Sequence, residues 1–280
     1  MTLRDQILYA ILSSLKALKE RWRFILFVWF MTFILTLVPS LTLLPSIYEM
    51  SSQSRELAQI LNSGRFPMRF WIDFKTLNSG VVKGYLASVK ALIFIYILFS
   101  LLTTTYYYLS LLKKLEINSF ISVFKRFFFI SVLKLSLFYL LGRADTSLVN
   151  YIERFIKDER VFFGVGLSID LLFLLLFLII LLIGDWFKPI ITVYQKESLI
   201  NITKLTFKYL MYGKKNISFL FSCYIFGFLL LYLILIPAHY LFFIKFFFIQ
   251  IIFILRIVLK FFYEGTLFYT QSILKEIYFE

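Results

Sequence analysis

The chain has 280 residues, of which 61% are hydrophobic and only 16% are charged. Soluble domains are about 45–50% apolar and about 25% charged, so this composition excludes an ordinary soluble domain and predicts a multi-pass membrane protein. The net charge of +14 would suggest nucleic-acid binding in a soluble domain, but membrane proteins carry excess Lys and Arg on the cytoplasmic side, so no nucleic-acid partner is predicted.

Six apolar runs are long enough to cross a bilayer, which takes about 20 helical residues. They are predicted as spans at 24–47, 86–112, 120–141, 161–183, 217–237 and about 240–262. Only the sequence PAHY separates the last two runs. We therefore predict an all-α, polytopic integral membrane protein, a single domain over residues 1–280, with six transmembrane helices arranged as three hairpins.

The distribution of cations predicts the orientation. The N-terminal segment 1–23, the connection after the second span and the connection 184–216 are all net positive. Because Lys and Arg accumulate on the cytoplasmic side, both termini are predicted to lie in the cytoplasm of a bacterium, with the chain in its inner membrane. Residues 48–85 then form an external loop, and serine caps, Pro67 and two glycine stops predict that this loop is helical.

Two basic segments are predicted to be cytoplasmic interfacial helices, at 1–23 and at 184–216. In the second, Ile202 and Tyr209 recur at helical spacing while lysines fall mainly elsewhere, which favours a helix lying in the interface with its apolar side on lipid. Ser198 is predicted to cap a helical piece of this segment. The alternative is a solvated basic linker.

Charges inside predicted spans are costly and are functional candidates, usually with a partner. Lys134 in the third span and Asp170 in the fourth form the candidate intramembrane ion pair, because their depths below the outer ends match in consecutive antiparallel helices. Such a pair either locks the hairpin or lines a polar cavity. Arg256 and Lys260 in the sixth span are interpreted as cytoplasmic-face cations that reach the interface by snorkelling. The segment TTTYYYLS, residues 103–110, predicts an interfacial aromatic belt or a pocket of Thr and Tyr.

Chemical signatures are sparse. The sequence holds one His, one Cys and no metalloprotease, P-loop, dinucleotide-binding or nucleophile-elbow motif. No catalytic, cofactor-binding or metal residue is predicted, and the chain is expected to be a non-catalytic accessory or scaffold subunit. The alternative is a transporter or flippase-like protein for a lipid or an apolar solute. Expected partners are membrane lipids, including anionic head groups, and a protein bound through the external loop or the cytoplasmic helices.

Three stretches carry a resemblance to a known group: SSLKALKERWRFILFVWFMTFILTLVP, SSQSRELAQILNSG before an aromatic helix, and GDWFKPIITVYQKESLINITKLTFKYL. The chain resembles a group of uncharacterised bacterial six-span proteins akin to the membrane domain attached to some glycerophosphoryl diester phosphodiesterases. Asp185, Trp186 and Lys188 match the acidic–aromatic–basic signature of that group after the fourth span. We expect them to begin the interfacial helix, with Asp185 at its N-terminus. The soluble phosphodiesterase domain is absent from the chain, so that activity is not implied.

Overall fold

Every regular element that the structure describes is an α-helix, as the composition and periodicity predict. The computed structural model describes residues 2–35, 37, 79–153, 155–156, 159–235 and 242–278. Its helices are α1 Leu3–Glu20, α2 Trp22–Leu35, α3 Ser79–Leu111, α4 Ile117–Glu153, α5 Glu159–Val193, α6 Leu199–Leu235 and α7 Phe242–Tyr278. The all-α prediction is confirmed for this part of the chain.

Three of the described helices contain segments long and apolar enough to cross a membrane. These segments are Val89–Leu111 in α3, Ile117–Ile152 in α4 and Gly164–Val193 in α5, and they overlap the second, third and fourth predicted spans. Shorter apolar segments occupy Trp22–Leu35 and Ile217–Gly227, which overlap the first and fifth predicted spans. The described helices therefore support a membrane protein with three candidate spanning helices.

The helices run further than the apolar runs suggest. Helices α4 to α7 contain 35 to 37 residues each, which is about 52–56 Å of helix at 1.5 Å per residue. The hydrocarbon core of a bilayer is only about 30 Å thick. Each of these helices therefore extends well beyond the length that a span requires, and its polar residues continue the same helix.

The predicted interfacial helix at 184–216 is consequently wrong as a separate element. Helix α5 continues through Asp185 and through Pro189 to Val193, and α6 starts at Leu199 and continues into the fifth predicted span. The predicted role of Ser198 is confirmed, because its Oγ accepts a hydrogen bond from the backbone N–H of Asn201 at 3.3 Å. The segment thus joins two long helices through a short connection.

The N-terminal helix has a reciprocal cap. The hydroxyl of Thr2 accepts a hydrogen bond from the backbone N–H of Asp5 at 3.2 Å, while the Thr2 backbone N–H donates to the Asp5 carboxylate at 3.0 Å. The Thr2 hydroxyl also donates to the Asp5 carboxylate, at 2.7 Å, and this bond, together with the one from the Thr2 N–H, holds the pKa of Asp5 below its ordinary value. Helix α1 ends at Glu20, and α2 begins at Trp22. A helix is therefore present over most of the predicted segment 1–23.

The chain, predicted as one domain, forms two compact units. Unit 1 comprises Met1–Ser13, Thr104–Phe221 and Glu264–Glu280, whereas unit 2 comprises Ser14–Thr103 and Ser222–Tyr263. In unit 2, the Ser14 hydroxyl donates to the Phe262 carbonyl at 2.8 Å. The fully buried side chains of unit 1 include Trp186, Tyr107, Tyr108, Tyr209, Ile190, Ile191, Ile202 and Leu267.

The apolar faces predicted to rest on lipid belong to the core of unit 1. Ile202 and Tyr209 are completely buried, and the Tyr209 hydroxyl is hydrogen-bonded to that of Tyr194 at 2.7 Å. The opposite side of α6 is exposed and carries both apolar residues and lysines, namely Ile200, Lys204, Phe207, Lys208 and Met211. Helical spacing therefore identified this face of α6 correctly, but the face packs on protein and not on lipid as predicted.

The predicted external loop, residues 48–85, lies outside the described residues up to position 78. Its last residues, from Ser79, belong to α3.

Close packing of α6 on α7 in unit 1 depends on Gly213. A Cβ added at Gly213 would lie 2.6 Å from Leu274 Cδ1 and 3.1 Å from Ile217 Cδ1. Leu274 is itself buried, so its side chain has little room to move aside. At Gly142 in α4, by contrast, an added Cβ would meet nothing within 4 Å.

The substitution Gly213→Val is expected to lower the free energy of unfolding by about 1–3 kcal/mol, because overpacking forces neighbouring side chains out of their rotamers. Gly142→Val is the matched control and should change it by less than about 0.5 kcal/mol, since Gly and Val differ little in helix propensity. Thermal unfolding in detergent measures both. Equal effects at the two positions would contradict the proposed contact.

Candidate functional site

Polar side chains from four helices meet in unit 1 and form what we call the ion-pair cluster: Thr104 of α3, Lys134 of α4, Asp185 and Lys188 of α5, and Glu264 of α7. The ammonium of Lys188 lies 2.9 Å from Asp185 Oδ1 and 3.3 Å from Glu264 Oε1. The Nζ of Lys134 lies 3.7 Å from the same Asp185 oxygen. The Thr104 hydroxyl donates to Glu264 Oε1 at 3.3 Å.

The cluster is largely withdrawn from solvent, and its charges balance. The side chain of Glu264 is 2% exposed, that of Asp185 is 15% exposed, and those of both lysines are 19% exposed. Buried charges are tolerated when they are paired and hydrogen-bonded. Here two ammonium groups face two carboxylates, so each charge is compensated by a neighbour, and Lys188 holds both acids.

The geometry of a helix explains why α5 contributes two residues to the ion-pair cluster. Asp185 and Lys188 are three residues apart and therefore lie on one side of the helix. Gly184 provides the space through which Lys134 reaches them, because a Cβ at Gly184 would lie 2.9 Å from Lys134 Cδ. The α4–α5 hairpin is also joined by Phe138 and Phe177, whose ring centroids are 5.1 Å apart.

The predicted pair of Lys134 with Asp170 is wrong. Asp170 is exposed and lies fifteen residues before Asp185 in α5, about 22 Å along the helix axis. The prediction ended the third span at residue 141, whereas α4 continues to Glu153. Because α4 is longer than predicted, the turn of the hairpin lies further along the chain. The residue of α5 that is level with Lys134 therefore lies closer to the C-terminal end of α5.

The acidic–aromatic–basic signature has a different role from the one predicted. Asp185, Trp186 and Lys188 all lie inside α5, far from its first residue and before the start of α6. Asp185 is therefore held by two ammonium groups and not by the positive end of a helix. Trp186 is completely buried in unit 1, so this ring packs in the protein core.

The Thr- and Tyr-rich segment at 103–110 also turns inward. Tyr107 and Tyr108 are completely buried, and Thr104 is 2% exposed, whereas Tyr106 is 39% exposed. The Tyr108 ring contacts Phe127 with 5.9 Å between centroids. An interfacial belt is thus wrong for Tyr107 and Tyr108, and the alternative of a polar site is supported at Thr104.

The two cations predicted for the cytoplasmic face lie in unit 2. Arg256 is exposed. The ammonium of Lys260 donates to the Ser100 hydroxyl at 2.9 Å, so a side chain of α3 holds it.

Sequence reasoning did not identify Glu264 as a member of the cluster. A usable signal was present, because Glu264 is the only acidic residue between Phe242 and Lys275. A lone charge in an apolar helix indicates a partner elsewhere. Thr104 carried no such signal, since threonine is common in helices that pack in a membrane protein.

An apolar groove adjoins the cluster. It has a volume of about 200 Å³ and is lined by α4, α5 and the first turn of α6, with Phe129, Leu133, Ile183 and Leu199 among its walls. Among the described residues that line it, Lys134 is the one with an ionisable side chain.

A basic surface surrounds the two short connections of unit 1. We use this name for the exposed lysines at 112–116, at 194–198 and in the first three turns of α4 and α6: Lys113, Lys114, Lys125, Lys196, Lys204 and Lys208. The guanidinium of Arg126, the tenth residue of α4, donates to the Tyr194 carbonyl at 3.4 Å, which joins α4 to the connection 194–198. The N-terminal part of α4 and the C-terminal end of α5 therefore lie at the same end of unit 1.

Comparison of the chain with protein-family models, with curated proteins and with solved structures found no match. The resemblance to six-span proteins stays a prediction. Among the described residues, no group of three or more His, Cys, Asp or Glu side chains is placed to hold a metal ion. The ion-pair cluster, the groove and the basic surface are the features that bear on function.

The observed pairing predicts how substitutions combine. Lys134→Ala and Asp185→Ala should each destabilise the protein, and their effects should be non-additive by about 0.5 kcal/mol or more, because the two side chains are in contact. Lys134→Ala and Asp170→Ala should add within about 0.3–0.5 kcal/mol, since those sites are far apart. Unfolding of the single and double variants measures both cycles. Strong coupling to Asp170 would contradict the observed arrangement.

Proposed function

We propose that the protein is a non-catalytic integral protein of a bacterial inner membrane that acts as an accessory or scaffold subunit. The ion-pair cluster is the observation that carries this proposal. Its two cations and two carboxylates face each other across α4, α5 and α7, and Thr104 adds α3. Charges that compensate one another in this way fix helix positions. Removing one partner of such a buried pair leaves an uncompensated charge, which is strongly destabilising.

The topology that we propose has six spans in three hairpins, with both termini in the cytoplasm. The basic surface supports this sidedness, because excess Lys and Arg mark the cytoplasmic side. The N-terminal part of α4 is joined to the connection 194–198 by the bond from Arg126 to Tyr194, as expected if the α4–α5 hairpin begins and ends on the same side of the membrane. Anionic lipid head groups at the cytoplasmic leaflet would further attract these lysines.

The surface that we propose for a protein partner is the exposed side of the first half of α6. Ile200 is 70% exposed and Met211 is 75% exposed, and Lys204 and Lys208 lie between them in sequence and are exposed as well. Methionine adapts its shape to different partners and is common at promiscuous binding surfaces. A mixed apolar and basic face fits a partner that itself sits at an anionic membrane.

A transporter or flippase-like protein for a lipid or an apolar solute is the second candidate, and the groove beside Lys134 favours it. Two observations weigh against it. Transporter sites are typically formed by discontinuous helices, whereas α4 and α5 are each continuous over their described lengths. The groove volume of about 200 Å³ is also below the roughly 300–1,000 Å³ of ligand pockets.

Sidedness is tested by labelling single cysteines with a membrane-impermeant maleimide after Cys223 is replaced by Ala. Ser198→Cys should react in inverted membrane vesicles and stay unlabelled in intact spheroplasts, because the proposed topology places the connection 194–198 in the cytoplasm. Ser54→Cys, in the predicted external loop, is the control with the opposite expectation. Labelling of Ser198→Cys from outside intact cells would reject the proposed topology.

Lipid scrambling in proteoliposomes separates the scaffold from the transporter. Vesicles containing a fluorescent phosphatidylglycerol are treated with dithionite, which bleaches only the outer leaflet. A scaffold should leave the protected fraction at the level of protein-free vesicles. If the protected fraction falls and Lys134→Gln restores it, the scaffold proposal is wrong and the transporter candidate is correct.

A photo-crosslinking amino acid supplies the matching positive test. Placed at Met211 and activated in native membranes, it should give a discrete protein adduct. Leu175 is the control position, since it is 60% exposed in the apolar part of α5 and is expected to face acyl chains. Equal adducts at both positions, or none at Met211, would contradict a partner surface on α6.

A further inference from the structure

The groove between α4 and α5 combines two chemical characters. Its walls include the side chains of Phe129, Leu133, Leu137 and Ile183, and in the part of the chain that the structure describes Lys134 is the one charged residue that lines it. Phe129 and Leu133 are 55% and 52% exposed. A surface of this kind fits an amphiphile, because an apolar chain needs the walls and an anionic group needs the ammonium.

The ammonium of Lys134 can donate a hydrogen bond to a ligand in the groove. Within the described residues, its Nζ reaches Asp185 Oδ1 at 3.7 Å, which is longer than the hydrogen-bond range of about 2.7–3.2 Å. That oxygen is closer to Lys188, at 2.9 Å. An ammonium carries three N–H donors, and the side chain of Lys134 is 19% exposed, so an oxygen acceptor in the groove can reach it.

We propose that this groove is a binding site for one anionic phospholipid of the surrounding bilayer. One acyl chain lies between α4 and α5, and a head-group phosphate oxygen accepts a charge-assisted hydrogen bond from Lys134. The proposal rests on the proposed placement of the protein in a membrane, and it names the lipid class and the residues that hold it.

The position of the groove in the sequence supports the orientation of this lipid. Leu199 and Thr203 line the groove at the start of α6, and the exposed Lys196 and Lys204 flank them in sequence. These lysines belong to the basic surface, where anionic head groups concentrate. The apolar walls continue along α4 and α5, which carry two of the three candidate spanning segments.

The size of the groove limits the occupant. A volume of about 200 Å³ is smaller than the roughly 300–1,000 Å³ of pockets that enclose a whole small-molecule ligand. That space accommodates a segment of one acyl chain and not a whole lipid, so the rest of the molecule must remain in the bilayer. The site therefore retains a lipid at the protein surface.

Native mass spectrometry of the full chain tests the proposal. The protein is released from nanodiscs containing equal amounts of phosphatidylglycerol and phosphatidylcholine, and the lipids retained on it are counted. The wild-type chain should retain one phosphatidylglycerol in preference to phosphatidylcholine. Lys134→Gln should reduce that preference about tenfold, as expected for loss of a charged hydrogen bond. Lys134→Arg keeps the charge and should retain most of it.

Two further variants separate the site from general effects. Arg143→Gln removes an exposed cation of α4 that lies outside both the groove and the basic surface and should bind lipid like the wild type. Leu133→Trp fills the groove while leaving Lys134 in place, and it should lose the retained lipid. Thermal unfolding confirms that each variant is folded before its lipids are counted.

Several results would overturn the proposal. These are retention of phosphatidylglycerol by Lys134→Gln at the wild-type level, an equal loss in Arg143→Gln, and no preference in the wild-type chain. In an additional experiment oleate is added to the nanodiscs. If the protein retains oleate in place of phospholipid, and Lys134→Gln reduces that retention, the groove is a fatty-acid site instead. Failure of the scaffold proposal is distinguishable, because scrambling by a chain that still retains phosphatidylglycerol rejects the scaffold and leaves the lipid site intact.

Discussion

The contact of one ammonium, that of Lys188, with two carboxylates is the constraint on which unit 1 depends. Asp185 binds it from the same helix and Glu264 binds it from α7. Through Asp185 the constraint extends to Lys134 of α4, and through Glu264 it extends to Thr104 of α3. In surroundings that exclude water, an unmatched charge is costly. The helices that carry these groups are therefore held at positions where the charges meet.

This constraint explains how aromatic packing and charge coexist in unit 1. Trp186 lies between Asp185 and Lys188 in sequence, yet its ring is completely buried. One helical turn thus presents an ion pair on one side and a large apolar ring on another. Packing of the ring and pairing of the charges fix the rotation of α5 together, since a rotation that exposed the ring would also separate Lys188 from Glu264.

The helical class and the approximate places of the spans could be predicted because they depend on local composition and length. The cap at Ser198 was predictable for the same reason, as a cap involves only the residues that follow it. The ends of α4 and α5 were not predictable from hydropathy, because polar residues such as those after Gly142 continue the helix. The error at Asp170 followed directly, since the pairing of two helices depends on where the turn lies and how each helix is rotated.

The basic and apolar patterning of 184–216 gave the correct periodicity and the wrong environment. Ile202 and Tyr209 recur as an interfacial helix requires, but a helix that packs on protein has the same period. Only tertiary contacts distinguish lipid from protein on that face. The apolar residues that face outward on α6 are others, such as Ile200 and Met211, and they are spaced less regularly than the buried ones.

The contact of Gly184 with Lys134 also predicts which substitutions at these two positions can occur together. A β-carbon at this position displaces the aliphatic chain of Lys134, because it would lie 2.9 Å from Cδ and 3.7 Å from Cε of that side chain. A shorter side chain at position 134 would therefore make room for a larger residue at 184, although it would also remove the ammonium of Lys134. In a selection for folded protein, second-site suppressors of a larger residue at 184 should accordingly concentrate at position 134. Homologous chains that lack this glycine should carry a smaller residue opposite it.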